Sequence, residues 1–432
     1  MENYKEFFKN KKITLMGLGL LGRGVGDAIF LAQCGAKLTV TDLKSSQELR
    51  PSLSKLRKYK SIKYVLGEHR LEDFRNADLI LKAAGVPFDS PHIREAIKQK
   101  IPVEMSAALF AKLSGLPIIG VTGTRGKSTV AHLIAQIFSW AGKKVILGGN
   151  VRGVSNLQLL RKANPPAGGA EMAVLELDSW QLQGFGESKI SPHISVFTNF
   201  LSDHLNYYGT FGKYFGDKSN IYKFQTQNDF LVLGSRFKKK IKTKAKIIRA
   251  DIKKLPKFRD LKLKGSHNLQ NIACAIEVAR VLKIPEQVIK KAVENFETIP
   301  GRLELVKIIN AIKIYNDTNA TTPDATIAAL NSFDKKVILI AGGADKGLDV
   351  KILNKELNKK TKKIFLLPGS GSDRIKSKNE KVKSLEDAVK KVFAYAKSGD
   401  IILFSPGFAS FNMFNNEYDR GDKFMKIVKK LK

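Results

Sequence analysis

Residues 121–129, Val-Thr-Gly-Thr-Arg-Gly-Lys-Ser-Thr, carry the parts of a phosphate-binding loop. Gly123 and Gly126 let backbone N–H groups point at phosphate oxygens, Lys127 brings a positive charge, and a hydroxyl of Ser128 or Thr129 can ligate Mg²⁺. The standard loop has Gly where Val121 stands; the form here is G-T-x-G-K-S-T. Gly123, Thr124, Gly126, Lys127, Ser128 and Thr129 are therefore the candidate ATP-binding residues. A second Gly-rich turn, Gly17-Leu18-Gly19-Leu20-Leu21-Gly22, lies earlier in the chain, with Asp42 about twenty residues beyond it. That spacing fits a nucleotide whose pyrophosphate approaches the backbone and whose ribose or base meets the acid. A nucleotide diphosphate, a nicotinamide dinucleotide and plain tight packing all remain open on the pattern alone.

Such turns work only when a buried strand delivers them and a helix N-terminus follows. Lys12–Met16 reads as a buried strand before the first turn, with a helix over 25–34 after it. Strands are expected at 37–41, 78–81 and 101–103. Residues 113–117 read as a linker, 118–121 as the strand entering the phosphate loop, and 127–140 as the helix leaving it. Further strands fall at 173–176 and 194–198, and a helix pair at 267–282 and 285–296. After a second linker at 298–302, strands recur at 303–308, 312–315, 337–341, 364–367 and 401–405. The expected fold is α/β in three consecutive domains, cut near 113 and 300. A Rossmann-like domain (1–112) comes first, then a P-loop-type ATPase domain (113–299), then a C-terminal Rossmann-like domain (300–432).

Composition removes other classes. Of 432 residues, 43% are hydrophobic and 27% charged, which is globular rather than disordered. No apolar run reaches the ~18 residues of a membrane span, and no signal segment opens the chain. Two cysteines without metal spacing fit a reducing cytoplasm. The net charge of +35 raises a nucleic-acid reading, most of all over residues 236–264. That stretch has few aromatics and no recognisable module, so a solvated lysine-rich surface that favours anionic small substrates is expected instead, with no nucleic acid or membrane partner.

At these motifs the chain resembles the Mur ligase family, whose members use ATP to form amide bonds in peptidoglycan precursor synthesis. The phosphate loop is shared with the related folylpolyglutamate synthetases. Other stretches follow in the family's order: Leu175-Glu176-Leu177-Asp178-Ser179-Trp180-Gln181-Leu182, then Thr198-Asn199-Phe200-Leu201-Ser202-Asp203-His204-Leu205, then His267-Asn268-Leu269-Gln270-Asn271. The opening GLGLLG, Gly148-Gly149-Asn150, Asn316-Asp317-Thr318-Asn319-Ala320-Thr321 and the stretch SPGFASFNMFNNEYDRGDKF resemble the branch that adds D-glutamate to UDP-N-acetylmuramoyl-L-alanine. Four positions depart from that branch. Asn319 and Thr318 replace Lys and Ser, Gly301 replaces a His before Arg302, and Leu21 stands where Thr often contacts the diphosphate.

The resemblance implies a role for each residue. The UDP-substrate would meet Gly19, Leu20, Leu21, Gly22, Asp42 and Asn150. ATP would meet the phosphate loop, with Asn268 and Asn271 beside the adenine and Arg302 and Asp317 at phosphates and ribose; packing is the other reading of the two asparagines. Ser128, Glu176, His204 and a carbamylated Lys218 would hold Mg²⁺. Thr321, Lys346 and Ser410 would grip the carboxylates of the amino acid. Lys127, His204, Lys218 and Lys346 are the candidate catalytic residues. A carboxylate is a poor electrophile, so the expected reaction passes through an acyl phosphate, in a cytoplasmic monomer serving cell-wall synthesis and cell division. A sister ligase with another amino acid or acceptor, and a non-catalytic nucleotide binder, are the rival readings. A nicotinamide oxidoreductase would leave the second Gly-rich loop without work.

Overall fold

The computed structural model describes residues 4–163, 168–235, 237–263, 265–411 and 413–431, and of Leu205 and Asn206 only the backbone. Arg236 and Lys264, the two ends of the basic stretch, and Asn412 of the C-terminal motif lie outside the described residues. The chain forms two compact units. One is Met1–Pro256 with Gln270–Val293, and the other is Lys257–Leu269 with Glu294–Lys432. No described helix is long and apolar enough to cross a membrane.

The first unit holds two parallel sheets. In one, β1 (Lys12–Met16), β2 (Lys37–Asp42), β3 (Lys63–Leu66), β4 (Leu79–Lys82) and β5 (Val103–Glu104) lie in the order β3-β2-β1-β4-β5. In the other, β6 (Ile118–Thr122), β7 (Val145–Gly149), β8 (Met172–Glu176), β9 (Ile194–Phe197), β10 (Phe230–Leu233) and β11 (Lys246–Arg249) lie in the order β11-β10-β9-β6-β8-β7. Each Gly-rich turn leaves the strand beside which the chain order changes side, β1 and β6. The crevice outside the strand ends at such a point is where open α/β sheets take ligands. β6 is buried at every position, and the helix Lys127–Trp140 behind it buries Leu133, Ile134, Ile137 and Phe138. At about 1.5–3 kcal/mol for each large apolar side chain, that face fixes the helix and with it the loop at its N-terminus.

The second unit carries β12 (Glu304–Ile309), β13 (Ile312–Asn316), β14 (Val337–Ala341), β15 (Thr361–Leu366), β16 (Glu380–Lys381) and β17 (Ile401–Phe404), in the order β12-β13-β17-β14-β15-β16. A fully Rossmann-like sheet would be parallel, and here one pair is not. β12 runs antiparallel to β13, so the sheet is mixed. The cause is local. Asn310 and Ala311 alone join the two strands, at φ +48° and +64°, the paired positive angles of a tight hairpin turn. The strands that the alternation leaves out are β3, β7, β10, β11 and β16: β3 and β11 are four-residue, largely exposed edges, β7 ends in two glycines, β10 is a four-residue buried run and β16 has two residues.

Candidate active site

The phosphate loop is stitched to the segment that follows β9. Thr124 donates its N–H to the Asn199 carbonyl at 3.0 Å, and its Oγ1 accepts from Leu201 N at 2.9 Å. Arg125 N donates to Asn199 Oδ1 at 2.9 Å, and the Arg125 guanidinium pairs with Asp203 at 2.9 Å. Gly126 sits at φ +84°, and a Cβ there would lie 2.2 Å from Asn271 Oδ1. Only glycine satisfies both the angle and the approach. Asn271 thus packs on the phosphate loop itself. Asn268, three residues earlier on the helix Ser266–Val281, belongs to the second unit.

Two lysines meet the same loop. Lys127 Nζ donates to the carbonyls of Gly123 at 3.1 Å and Thr124 at 3.3 Å. Lys218, on the helix Phe211–Ser219, is 1% exposed and donates to Gly123 O at 2.9 Å and Thr122 Oγ1 at 3.4 Å. Burial pushes the Lys218 amine well below the ordinary lysine value, and the Lys127 charge pushes it the same way. A neutral amine is the form that attacks CO₂, so this lysine suits carbamylation.

Ser128 and Thr129 open the helix Lys127–Trp140, both mostly buried. Glu176 ends β8, the strand paired with β6, so acid and loop leave adjacent strand ends. Glu176 is 4% exposed, and its carboxylate has no hydrogen bond or ion pair among the described residues. A buried, unpaired carboxylate beside a hydroxyl-bearing loop fits a hard divalent cation. Among the described residues no three His, Cys, Asp or Glu side chains converge on a metal position. A carbamate on Lys218 would add an anionic oxygen to that set. His204 has φ +55°, packs its ring against Trp180 at 4.7 Å, and approaches Asp203 Oδ2 at 3.5 Å.

At the first Gly-rich turn, Leu20 and Leu21 are exposed at the tip. Asp42 is buried and fastens two loops, accepting from Gly19 N at 3.0 Å and from Lys44 N at 2.9 Å. Asn150, after β7, accepts at Oδ1 from Arg23 at 2.5 Å.

The second unit holds Arg302, Asp317, Thr321, Lys346 and Ser410. Asp317 accepts from Ser405 Oγ at 2.8 Å and Leu303 N at 3.1 Å, and burial pushes its carboxyl up to about 7. Lys346 Nζ donates to Thr321 Oγ1 at 3.3 Å, and both lie at a shallow surface cleft with Pro323, Gly407 and Phe408. Ser410 is buried next to Ala409, whose backbone pairs with that of Ala344. Arg420, fully buried, donates to the carbonyls of Thr318 at 2.8 Å and Phe408 at 3.2 Å and to Thr318 Oγ1 at 3.2 Å. Sequence reasoning missed Arg420, Arg125, Asp203 and Arg23. Each stands inside or just beside a quoted motif, and only the burial of the first and the contacts of the others single them out.

Three family models match the chain in order. They are Mur ligase MurD-like, N-terminal domain, over residues 11–104; Mur ligase middle domain, over 121–258; and Mur ligase, glutamate ligase domain, over 301–408. The chain is 37% identical to the UDP-N-acetylmuramoylalanine–D-glutamate ligase of Borreliella afzelii and 34% identical to the ligase of the same name from a Roseiflexus species. Each alignment covers 97% of this chain and 98% of the relative. The solved UDP-N-acetylmuramate–alanine ligase of Thermotoga maritima superposes with a TM-score of 0.62 at 18% identity, covering 97% of this chain and 99% of that one. At that identity the likeness speaks to the fold.

Proposed function

The chain belongs to the Mur ligase family of ATP-dependent amide ligases, and from that premise we propose that it joins D-glutamate to UDP-N-acetylmuramoyl-L-alanine in peptidoglycan precursor synthesis. The observation that carries the chemistry is the pair of lysines at one phosphate loop, Lys127 half-buried and Lys218 buried with a depressed amine.

The alanyl carboxylate of the acceptor must become an acyl phosphate before an amine can attack it. Lys127 and the N-terminus of its helix would neutralise the ATP phosphates as charge shifts during transfer. Mg²⁺, when bound, supplies further neutralisation of phosphate charge. Ser128 and Glu176 would hold it, with His204 and carbamylated Lys218 at a second position. Asn271, packed on Gly126, would keep the loop in its binding shape; Asn268, Arg302 and Asp317 are the second unit's candidates for contact with ATP. Thr321, Lys346 and Ser410 would hold the carboxylates of D-glutamate and leave its amine free.

In this reading residues 1–112 serve the UDP-substrate, 113–299 ATP and 300–432 the amino acid. A chain carrying +35 favours these anionic substrates electrostatically. We place the protein in the cytoplasm as a monomer. The test is phosphate release from MgATP with each substrate omitted in turn. Release should require both D-glutamate and UDP-N-acetylmuramoyl-L-alanine. Product formed with another amino acid and not with D-glutamate would hand the assignment to a sister ligase.

A further inference from the structure

The Gly-rich turn at 17–22 contains only Gly and Leu, so its side chains offer neither charge nor hydroxyl to a diphosphate. One of its backbone donors, Gly19 N, is already committed to Asp42. The first cationic side chain after the turn is Arg23, which opens the helix Arg23–Gln33. Its guanidinium has no carboxylate within ion-pair distance among the described residues. Its one side-chain hydrogen bond reaches Asn150, at the end of β7 in the neighbouring sheet of the same unit.

That contact lies at the head of a tight seam. A Cβ on Gly22 would lie 3.8 Å from Gly153 Cα, and one on Gly26 would lie 2.5 Å from Ser155 Cβ. Ser155 Oγ donates to Asp27 Oδ1 at 2.6 Å. Glycine at 26 permits the helix to approach the 149–157 segment this closely, so the mouth of the turn is walled on one side by the loop that follows β7. Guanidinium nitrogens are donors only, so the contact fixes the Asn150 amide with its oxygen toward Arg23. Its NH₂ group is then turned away from Arg23 and is left to donate elsewhere.

We propose that Arg23 completes a two-part clamp on the diphosphate of the uridine substrate, supplying the charge that the apolar turn lacks and orienting the amide of Asn150, which the family resemblance already gives to that substrate. The inference rests on the UDP-substrate reading above. It gives the Leu21 departure a physical answer: the donor absent from the turn is replaced by a cation two residues later. A planar guanidinium can serve Asn150 and a phosphate together because its five N–H groups point in different directions.

The experiment is calorimetric titration of the full chain with UDP and with UMP, in the absence of ATP. The native protein should bind UDP at least tenfold more tightly than UMP. Arg23→Gln keeps a hydrogen bond to Asn150 and drops the charge. It should reduce the UDP preference to within about threefold while leaving UMP affinity within about twofold. Its UDP affinity should also depend less steeply on NaCl concentration. In turnover, the KM for the UDP-substrate should rise about tenfold or more, with the KM for ATP within about threefold of native. A preference unchanged in Arg23→Gln would overturn the clamp and leave Arg23 as a strut between sheets. Native protein that binds neither nucleotide would instead sink the UDP-substrate reading. If Arg23→Gln fails to fold, Arg23→Lys decides: it should retain UDP preference only in part, and full retention with a lost Asn150 contact counts against the clamp.

Discussion

Lys127 and Lys218 donate to the same atom, the carbonyl oxygen of Gly123, at 3.1 and 2.9 Å. One carbonyl cannot neutralise two ammonium groups. Burial and the neighbouring Lys127 charge drive Lys218 toward the neutral amine, whereas Lys127 is only half-buried and opens the helix behind the phosphate loop. The two residues thus diverge in chemistry because they converge in space.

Lys127→Ala should lower phosphate release by about 10²–10³-fold, the usual cost of removing a preorganised group from charge developing in a transition state. The assay is ATP turnover with both other substrates saturating. A rate within threefold of native would remove Lys127 from the chemistry.

Carbamylation of Lys218 predicts a carbonyl resonance when the protein is equilibrated with ¹³C-bicarbonate, and its loss in Lys218→Ala. That variant should be inactive and partly rescued by formate or acetate standing in for the carbamate anion. Native protein that turns over without any such resonance would count against the modification.

At the amino-acid cleft, Lys346→Ala should raise the KM for D-glutamate at least tenfold and leave that for ATP nearly unchanged. D-Alanine, which lacks one carboxylate, should not support phosphate release, because the donors for that carboxylate would be left unpaired. Equal use of both amino acids would show that Lys346 does not read the side chain.

Arg420→Ala should cost about 3 kcal/mol or more, since the carbonyls of Thr318 and Phe408 lose their donors inside the fold. Arg420→Lys should recover little, as a single ammonium cannot span the same acceptors. Urea denaturation of the three proteins provides the measurement; a variant within 1 kcal/mol of native, on the order of one ordinary hydrogen bond, would contradict the bracing role.

Asp27 predicts a pH effect on stability. Burial pushes its carboxyl from 3.8 up to about 6, so in that interval the folded chain keeps a proton that the unfolded chain releases. Stability is therefore fullest below the unfolded value and falls as pH rises through about 6, by roughly 3 kcal/mol from this group at ~1.4 kcal/mol per unit. Asp27→Asn can still accept from Ser155 and should lack that decline. Urea midpoints at pH 4 and pH 7.5 should converge more in the variant than in the native protein; parallel profiles would show that Asp27 is not the source.

The phosphate loop was legible in the sequence because its requirements are local: Gly123, Gly126, Lys127 and Ser128 must be neighbours in the chain to surround one ligand. The first Gly-rich turn and Asp42 at its spacing were legible for the same reason, though not the hydrogen bonds that Asp42 accepts from Gly19 and Lys44. The β12–β13 hairpin hid behind Asn310-Ala311, because Ala seldom takes a positive φ and gives no turn signal. Arg23 and Asn150 meet across 127 residues of sequence, a contact that no spacing rule anticipates. Arg420 looked like one more surface cation in a lysine-rich chain until the fold enclosed it.

His204 holds its backbone at φ +55°, an angle that costs a side-chain-bearing residue of order 1 kcal/mol or more. Glycine would occupy that position with less strain. Drift under selection for folding alone would therefore run toward glycine, erasing the imidazole beside Trp180. In the function proposed above, that strain is carried for the sake of the imidazole at the metal site. Attempts to make this protein hardier by relaxing strained positions should leave residue 204 untouched.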